Sequence, residues 1–547
     1  MKKVLAICLV GIFVAGLLIW FYLMMPGKPA SAQGERKRND PVTTSQILIS
    51  TLKFSPNYFR MKFLANQEIK NLPDPIPASV PDSATLYKWV EELCATPHRR
   101  PGTPEGHRGE DYVAAKFKEL GLQNVTKDSI PMTVWDATNW KLTLEDEGRR
   151  FDFPCFYVPR TGFTGPKGVS GEMVYVGNGE SEDFAKQSVK GKIVVAEVTF
   201  AQIPTGILNK LAGGGYYFSN PETEIGWGFK QVLIFIRKNF PRQAANASPS
   251  PRSVYWRAVD QGAAGMILIL KNHPGNTNSH YGPYDRVMKP LPALWVGKYD
   301  GEKFREIAKR GIRATILLEG TKVPGVTHNV WGILPGMSDE IIMISSHHDS
   351  PFKGATEDGT GVSMVLGQAW AWSKIPKKKR PRTLLFICDA GHFYEAIGAD
   401  EMVKQHPDVI QRVVVDLNLE HVAAKELIDK DRDFAFSGHQ AYTLMFLTAN
   451  PHMIAVVKRS LQKYQPKRVS AVPINLIGPV PAGEGGTYYR LTGMNAINTI
   501  GQPYYLLTAE DTLDKVNKEE LEVWAKTAAD ITGTFMLMKK EDLTEQY

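Results

Sequence analysis

Cysteine is scarce in this chain: Cys8, Cys94, Cys155 and Cys388 are the only four, and no Cys-x-x-Cys pair occurs. That spacing excludes a thiolate zinc ribbon and a disulfide-stapled scaffold, and it leaves buried free thiols as the expectation. Long blocks of one charge are also lacking. Lys and Arg number 65 against 57 Asp and Glu, and the surplus of +8 is spread along the chain, so there is no basic footprint for a nucleic acid. The one short basic run, Lys377 to Arg380, reads as a solvated turn between a helix and a strand. No repeat of solenoid length is visible.

Apolar residues make up 43% of the 547, enough for a large core in more than one domain. Lys2 and Lys3 precede an apolar run from Val4 to Met25, about the 20 residues that cross a bilayer as a helix. Ala30-Ser31-Ala32 resembles a signal-peptidase site. Residues 1–25 are therefore a transmembrane signal-anchor, or a leader cleaved after Ala32. Either way the bulk lies outside the cytoplasm, and the N-terminal helix is the expected membrane contact.

Residues 26–80 read as a tether and lead-in. Residues 81–160 begin with helical patterns, the second capped by Thr103, opened by Pro104 and stopped by Gly121. Between 161 and 320 the texture changes to short strand-like runs separated by glycines, which suggests an inserted domain. Within it, Gly226 to Phe240 reads either as a membrane-surface element or as a core segment with snorkelling basic residues. From 321 strands and helices alternate: strands around Ile341 to Ser345, Leu384 to Cys388 and Val413 to Leu419, with a last helix from Asn517 whose Glu520 completes a capping box. The fold class is α/β, a mostly parallel, mixed sheet covered by helices on both faces.

Polar residues gather at the ends of three of those strands. His347 and Asp349 follow the first, Asp389, His392 and Glu395 the second, Glu420 and His421 the third, and a Gly-containing loop adds Glu357 and Asp358. Ligands of open α/β sheets bind at the carboxyl ends of strands. His347, Glu357 and Glu420 form a nitrogen-plus-two-carboxylate set suited to Zn²⁺, with a position left for water. Asp349 can accept the His347 imidazole N–H, and His392 can move a proton or act as a ligand.

These residues resemble the zinc-dependent exopeptidase family of aminopeptidase Y, bacterial leucyl aminopeptidases and glutamate carboxypeptidase II. The resemblance rests on Arg99 to Thr103, His347 with Asp349, Gly354 to Gly359, Leu417 to Glu420 and Tyr504 to Val516. Residues 161–320 resemble the protease-associated domain of many members, through Val189 to Ile193 and Gly262 to Gly265. The resemblance implies 81–160 with 321–547 as the catalytic-type domain, hydrolysis of peptide amides, and two zinc ions held by five ligands with a glutamate as base.

Carried over, His347 and Glu420 match ligands of one zinc and Glu357 the bridging carboxylate, usually Asp. The base-then-ligand glutamate pair falls on His392 and Phe393, and the last ligand histidine on Leu507. Phenylalanine and leucine cannot coordinate metal, so one zinc at most is expected, with Glu395 or Asp358 as possible additional ligands. The family also contains members that lost catalysis. The readings are an aminopeptidase-type exopeptidase with a single-metal or impaired site, or a non-catalytic pseudopeptidase acting as a membrane-tethered binding or assembly protein.

Overall fold

The computed structural model describes residues 57–546 except 199–201, 204–214, 221–227, 230–253, 272, 274, 284, 476–479, 482 and 502. The run Val4 to Met25 and nearly all of Gly226 to Phe240 lie outside the described residues. Among the described residues no helix is long and apolar enough to cross a membrane.

Four neighbouring parallel strands form the centre of the sheet: Arg382–Asp389, Ser338–His347, Val413–Glu420 and Ala496–Gly501, in that spatial order. Their residues are buried almost throughout, as strands with helices on both faces must be. Alternation divides them cleanly. Ile342, Ile344, Leu384, Phe386 and Cys388 enter one core, while Ile341, Met343, Leu385 and Ile387 enter another on the opposite face. Each such fully buried aliphatic side chain contributes about 1.5–3 kcal/mol of transfer free energy.

The first core is covered by the helices Ser83–Leu93, Pro104–Glu119, Gly361–Ser373 and Lys518–Phe535. Gly361–Ser373 is apolar on nearly every side and correspondingly buried. Thr103 caps Pro104–Glu119 by accepting from the Gly106 N–H at 3.1 Å, as its sequence predicts. Cys94, Cys155 and Cys388 are free thiols.

Two sequence readings change. The capping box of the last helix is not formed: Asn517 is the N-cap residue, but its amide donates to Gln440 Oε1 at 3.0 Å, and Glu520 accepts from the Lys467 N–H at 3.2 Å. Tertiary partners outcompete the local cap. In the basic run, Lys377 to Lys379 form an exposed turn, whereas Arg380 is buried and donates to the carbonyls of Trp372 and Ile375. Its planar fork satisfies the end of a helix, so it is a structural residue rather than a solvated one.

The long antiparallel ribbon of Gln123–Asp146 and Arg313–Leu334 continues the sheet past Arg382–Asp389 to a second group of strands. These are Val169–Tyr175, Ile193–Val198, Gly265–Leu270 and Ala293–Val296, parallel to one another around a core of their own. Two words of the sequence meet here: Gly191 donates to the Gly262 carbonyl at 2.8 Å and Ala264 to that of Lys192 at 2.8 Å.

Candidate metal centre

The sheet register assembles the site. His347 lies opposite Asp389, and Ser345 opposite Asn418, so His347, Asp389 and Glu420 finish adjacent parallel strands at one edge. The loop bearing Glu357 and Asp358 is folded onto that edge by Asp358. Its Oδ1 accepts from the N–H of His421 at 2.9 Å and of Gly361 at 3.1 Å, and its Oδ2 accepts from the Ser346 hydroxyl. Asp358 is thereby spent on backbone and hydroxyl donors.

His347 is fully buried, with Nδ1 3.1 Å from the Asp349 carbonyl. A carbonyl only accepts, so Nδ1 carries the proton and Nε2 faces the site. Asp349 therefore fixes the tautomer, but through its backbone. Its carboxylate, expected on the imidazole, stands 3.7 Å from Nδ1 and accepts instead from the N–H groups of His392 at 3.1 Å and Phe393 at 3.3 Å. It holds the turn His392–Tyr394 against the strand end.

Around Glu357 three imidazoles gather. Its Oε1 is 3.5 Å from His347 Nε2 and 3.9 Å from His392 Nε2, and its Oε2 is 3.1 Å from His421 Nε2. The rings of His347 and His392 stack with centroids 4.1 Å apart and planes 9° from parallel. His421 sits in left-handed backbone, φ 53°, just after the strand of Glu420. Burial opposes ionisation of Glu357, but His421, His347 and His392 outweigh it and hold the carboxyl down at about 2. Burial likewise opposes charge on His421, and Glu357 overrides it, raising the imidazole to about 9.

Two sets among the described residues bring their donor atoms within 4.8 Å of one another, His107 with Glu110 and His328, and, at this strand edge and fully buried, His347 with Glu357 and His421. Glu420 stands beside this set rather than in it: its Oε1 accepts from the Glu484 N–H at 2.7 Å, and burial lifts its carboxyl to about 6. Glu395 is half-buried, in left-handed backbone at the end of the 392–394 turn, and its carbonyl accepts from Arg286 at 3.2 Å. It too is outside the converging set.

Glu484 escaped the sequence reading. It opens the helix Glu484–Thr492, is fully buried, and its Oε1 lies 2.8 Å from His392 Nδ1. Burial opposes charge on His392, but the bond to Glu484 prevails and raises the imidazole to about 10. The pairing with Glu484 thus favours the charged, donating form of His392 in the metal-free site. The only local signal for Glu484 was an acidic residue beside glycines in Pro481 to Gly486, opening a helix. Gly483 is required there: at φ +91° a Cβ would lie 2.5 Å from Glu420 Oε2.

The fit to a metal can be tested on the buried polar atoms. His347 Nε2, Glu357 Oε1 and Glu420 Oε2 have no hydrogen-bond partner among the described residues. Orphaned acceptors of this kind suit one cation bound by nitrogen and oxygen ligands. The other half of the expected centre does not fit. Phe393 and Leu507 are buried in the apolar core of the second strand group, where the Tyr281 ring stands edge-on to Phe393 at 5.8 Å and the Tyr281 N–H donates to the Leu507 carbonyl at 2.7 Å.

A second imidazole–carboxylate group is of another kind. His107 Nδ1 and His328 Nδ1 lie 2.9 and 2.7 Å from Glu110 Oε2, with Lys127 Nζ at 3.4 Å, and Oε1 accepts from the Thr327 hydroxyl and the His328 N–H. These are hydrogen-bond lengths to a saturated carboxylate that joins a helix to a strand.

Residues 329–532 match the family described as Peptidase family M28. Among solved structures, the chain is similar to a peptidase M28 precursor from Shewanella amazonensis SB2B, at 19% identity and TM-score 0.62, covering 90% of this chain and 99% of that one. It is similar to a zinc aminopeptidase from Bacillus subtilis at 16% identity and TM-score 0.56, covering 85% and 99%. An aminopeptidase from Aneurinibacillus sp. strain AM-1 aligns at 19% identity and TM-score 0.53, covering 85% and 95%. At these identities the structures establish a shared fold. No curated protein sequence matches the chain.

Proposed function

From a chain whose residues 329–532 match the M28 peptidase family, we propose a zinc-dependent exopeptidase of aminopeptidase type that hydrolyses peptide amides through a single metal. The observation that carries it is the convergence of His347, Glu357 and His421, with partnerless acceptors buried in the same place. Those three residues would hold the ion, with Glu420 alongside. When bound, zinc supplies a Lewis acid and a water ionisable near neutral pH.

The chain's own residues prepare that chemistry. The Asp349 carbonyl aims His347 Nε2 inward. Asp349 and Glu484 fix the backbone and ring of His392, leaving its Nε2 on the Glu357 side. A cationic donor there is suited to negative charge developing on an attacked amide oxygen. Burial of the whole group keeps water low and these interactions strong.

Export of the bulk of the chain, tethered through residues 1–25 or released after Ala32, belongs to the same proposal, as does the reading of 161–320 as a protease-associated-like insert. The test is metal analysis of the purified protein together with hydrolysis of aminoacyl amides. We expect about one zinc per chain, lost with activity in His347→Ala. No bound metal and no amide hydrolysis would overturn this reading. Phe393 and Leu507 favour the alternative, a pseudopeptidase that binds without cleaving, which would show intact folding and peptide binding with neither zinc nor turnover.

A further inference from the structure

Two stretches singled out in the sequence, Arg99 to Thr103 and Tyr504 to Val516, contribute no donor to the converging set, yet both end on the loop that carries Glu357. Arg99 is fully buried and no carboxylate pairs with it among its hydrogen bonds. Its guanidinium spends its donors on carbonyls: His348 at 2.8 Å, Leu93 at 3.3 Å, Lys353 at 2.6 Å, Gly354 at 3.0 Å and Glu357 at 3.5 Å. Its backbone pairs in both directions with Ser350. Asp511 approaches the same loop from the amide side. Its carboxylate accepts from the Thr356 N–H at 2.9 Å and the Glu357 N–H at 2.8 Å.

The wide helical turn Ala355–Thr360 is broken at Glu357 and Asp358, whose backbone is non-helical, so peptide groups there must be satisfied one by one. Here a cationic fork takes the carbonyls and an anion takes the N–H groups of a single segment, 353–357, from opposite polarities. Gly354 allows the required turn, with φ +56° and a Cβ position 2.1 Å from the Glu357 carbonyl oxygen. Charge-assisted bonds to backbone are about twice as strong as neutral ones. Lysine could not span these carbonyls, because it offers a point charge rather than a planar fork.

We infer that Arg99 and Asp511 are the positioning residues of Glu357, clamping its peptide so that the carboxylate stands between His347 and His421 before any ion arrives. The inference rests on the single-metal reading only where it concerns zinc. It predicts a preformed loop, a cost in metal affinity when either jaw is weakened, and no direct role in substrate binding.

The test uses the full chain with Arg99→Lys and Asp511→Asn, both chosen to preserve size and burial. Zinc affinity is read by competition with a chromophoric chelator, and amide hydrogen exchange is read in the metal-free protein. We expect each variant to weaken zinc binding about tenfold or more, within the range for residues supporting metal ligands. Saturating zinc should restore kcat with KM unchanged, which a general loss of folding would not do. Exchange in 353–360 should accelerate about tenfold while the strand Val413–Glu420 is unaffected. Zinc affinity and 353–360 exchange both within about twofold of wild type would overturn the clamp. If the wild-type protein takes up no zinc, the metallopeptidase reading fails, and the exchange measurement alone decides the clamp.

Discussion

Glu484→Gln isolates the charge that holds His392. The folded imidazole is raised from 6.5 to about 10, opposed by burial and driven first by Glu484. A group whose pKa is raised on folding stabilises the native state fully below its unfolded value, and loses that contribution as pH climbs through the folded value. At 1.36 kcal/mol per pH unit the imidazolium is worth about 4 kcal/mol at pH 7 and about 0.4 kcal/mol at pH 10. Glu357 and Glu420 supply part of this. Gln keeps an acceptor for Nδ1–H but removes the anion, so the loss is the difference between a charge-assisted and a neutral hydrogen bond, about 1 kcal/mol at pH 7. Both side chains are nearly inaccessible, so solvent screening takes little from the figure. The assay is urea denaturation of the metal-free protein, wild type against variant, at pH 7 and pH 10. The gap should be present at pH 7 and close toward pH 10. An equal gap at both values would refute the imidazolium–carboxylate account and leave Glu484 as packing only.

Zinc binding to the proposed ligands must displace the proton that Glu357 holds on His421, raised to about 9, so apparent zinc affinity should rise steadily between pH 6 and pH 8 with proton release on binding. Calorimetry in buffers of different ionisation enthalpy reads that release directly, and no proton release would contradict the assignment. Gly483→Ala should cost about 2 kcal/mol, because its backbone is left-handed and the new methyl meets Glu420. A thermal midpoint equal to wild type would show that the 483–484 turn can relax without disturbing the strand end.

Much of this architecture is legible without coordinates because burial writes it into composition. Ile341 to Ser345, Leu384 to Cys388 and Val413 to Leu419 are strands in the sequence and in the structure, since strands buried on both faces must be apolar without interruption. His347 and Glu357 were legible for a different reason: an imidazole or carboxylate placed where an apolar strand ends is costly to bury unless a partner or an ion meets it, so it stands out from the run before it. What stayed hidden depends on residues distant in sequence. Glu484 reaches His392 across 92 positions, and nothing local marks it as a site residue. The Asp349 carboxylate turned to the backbone of His392 and Phe393 rather than to His347, a choice between two acceptors on one residue that no spacing encodes. Arg380 looks like a solvent residue and Glu520 like a local helix cap until a helix end and a loop N–H claim them.

Phe393 and Leu507 belong to the apolar core of the second strand group. Had those positions carried ligands, their polar groups would need a cation in order to lie buried between the two parts of the sheet, and removing it would leave unpaired charge there. Phenylalanine and leucine reverse that dependence. Both join the apolar cluster of Val169–Tyr175, Ile193–Val198 and Ala293–Val296, and Tyr281 seals the joint by its ring and its N–H. The joint is then held by apolar contact that calls for no metal ion. On the proposed single-metal reading, the fold is then expected to persist without zinc. Metal content, rather than stability, is therefore the quantity that separates a peptidase from a binding protein here.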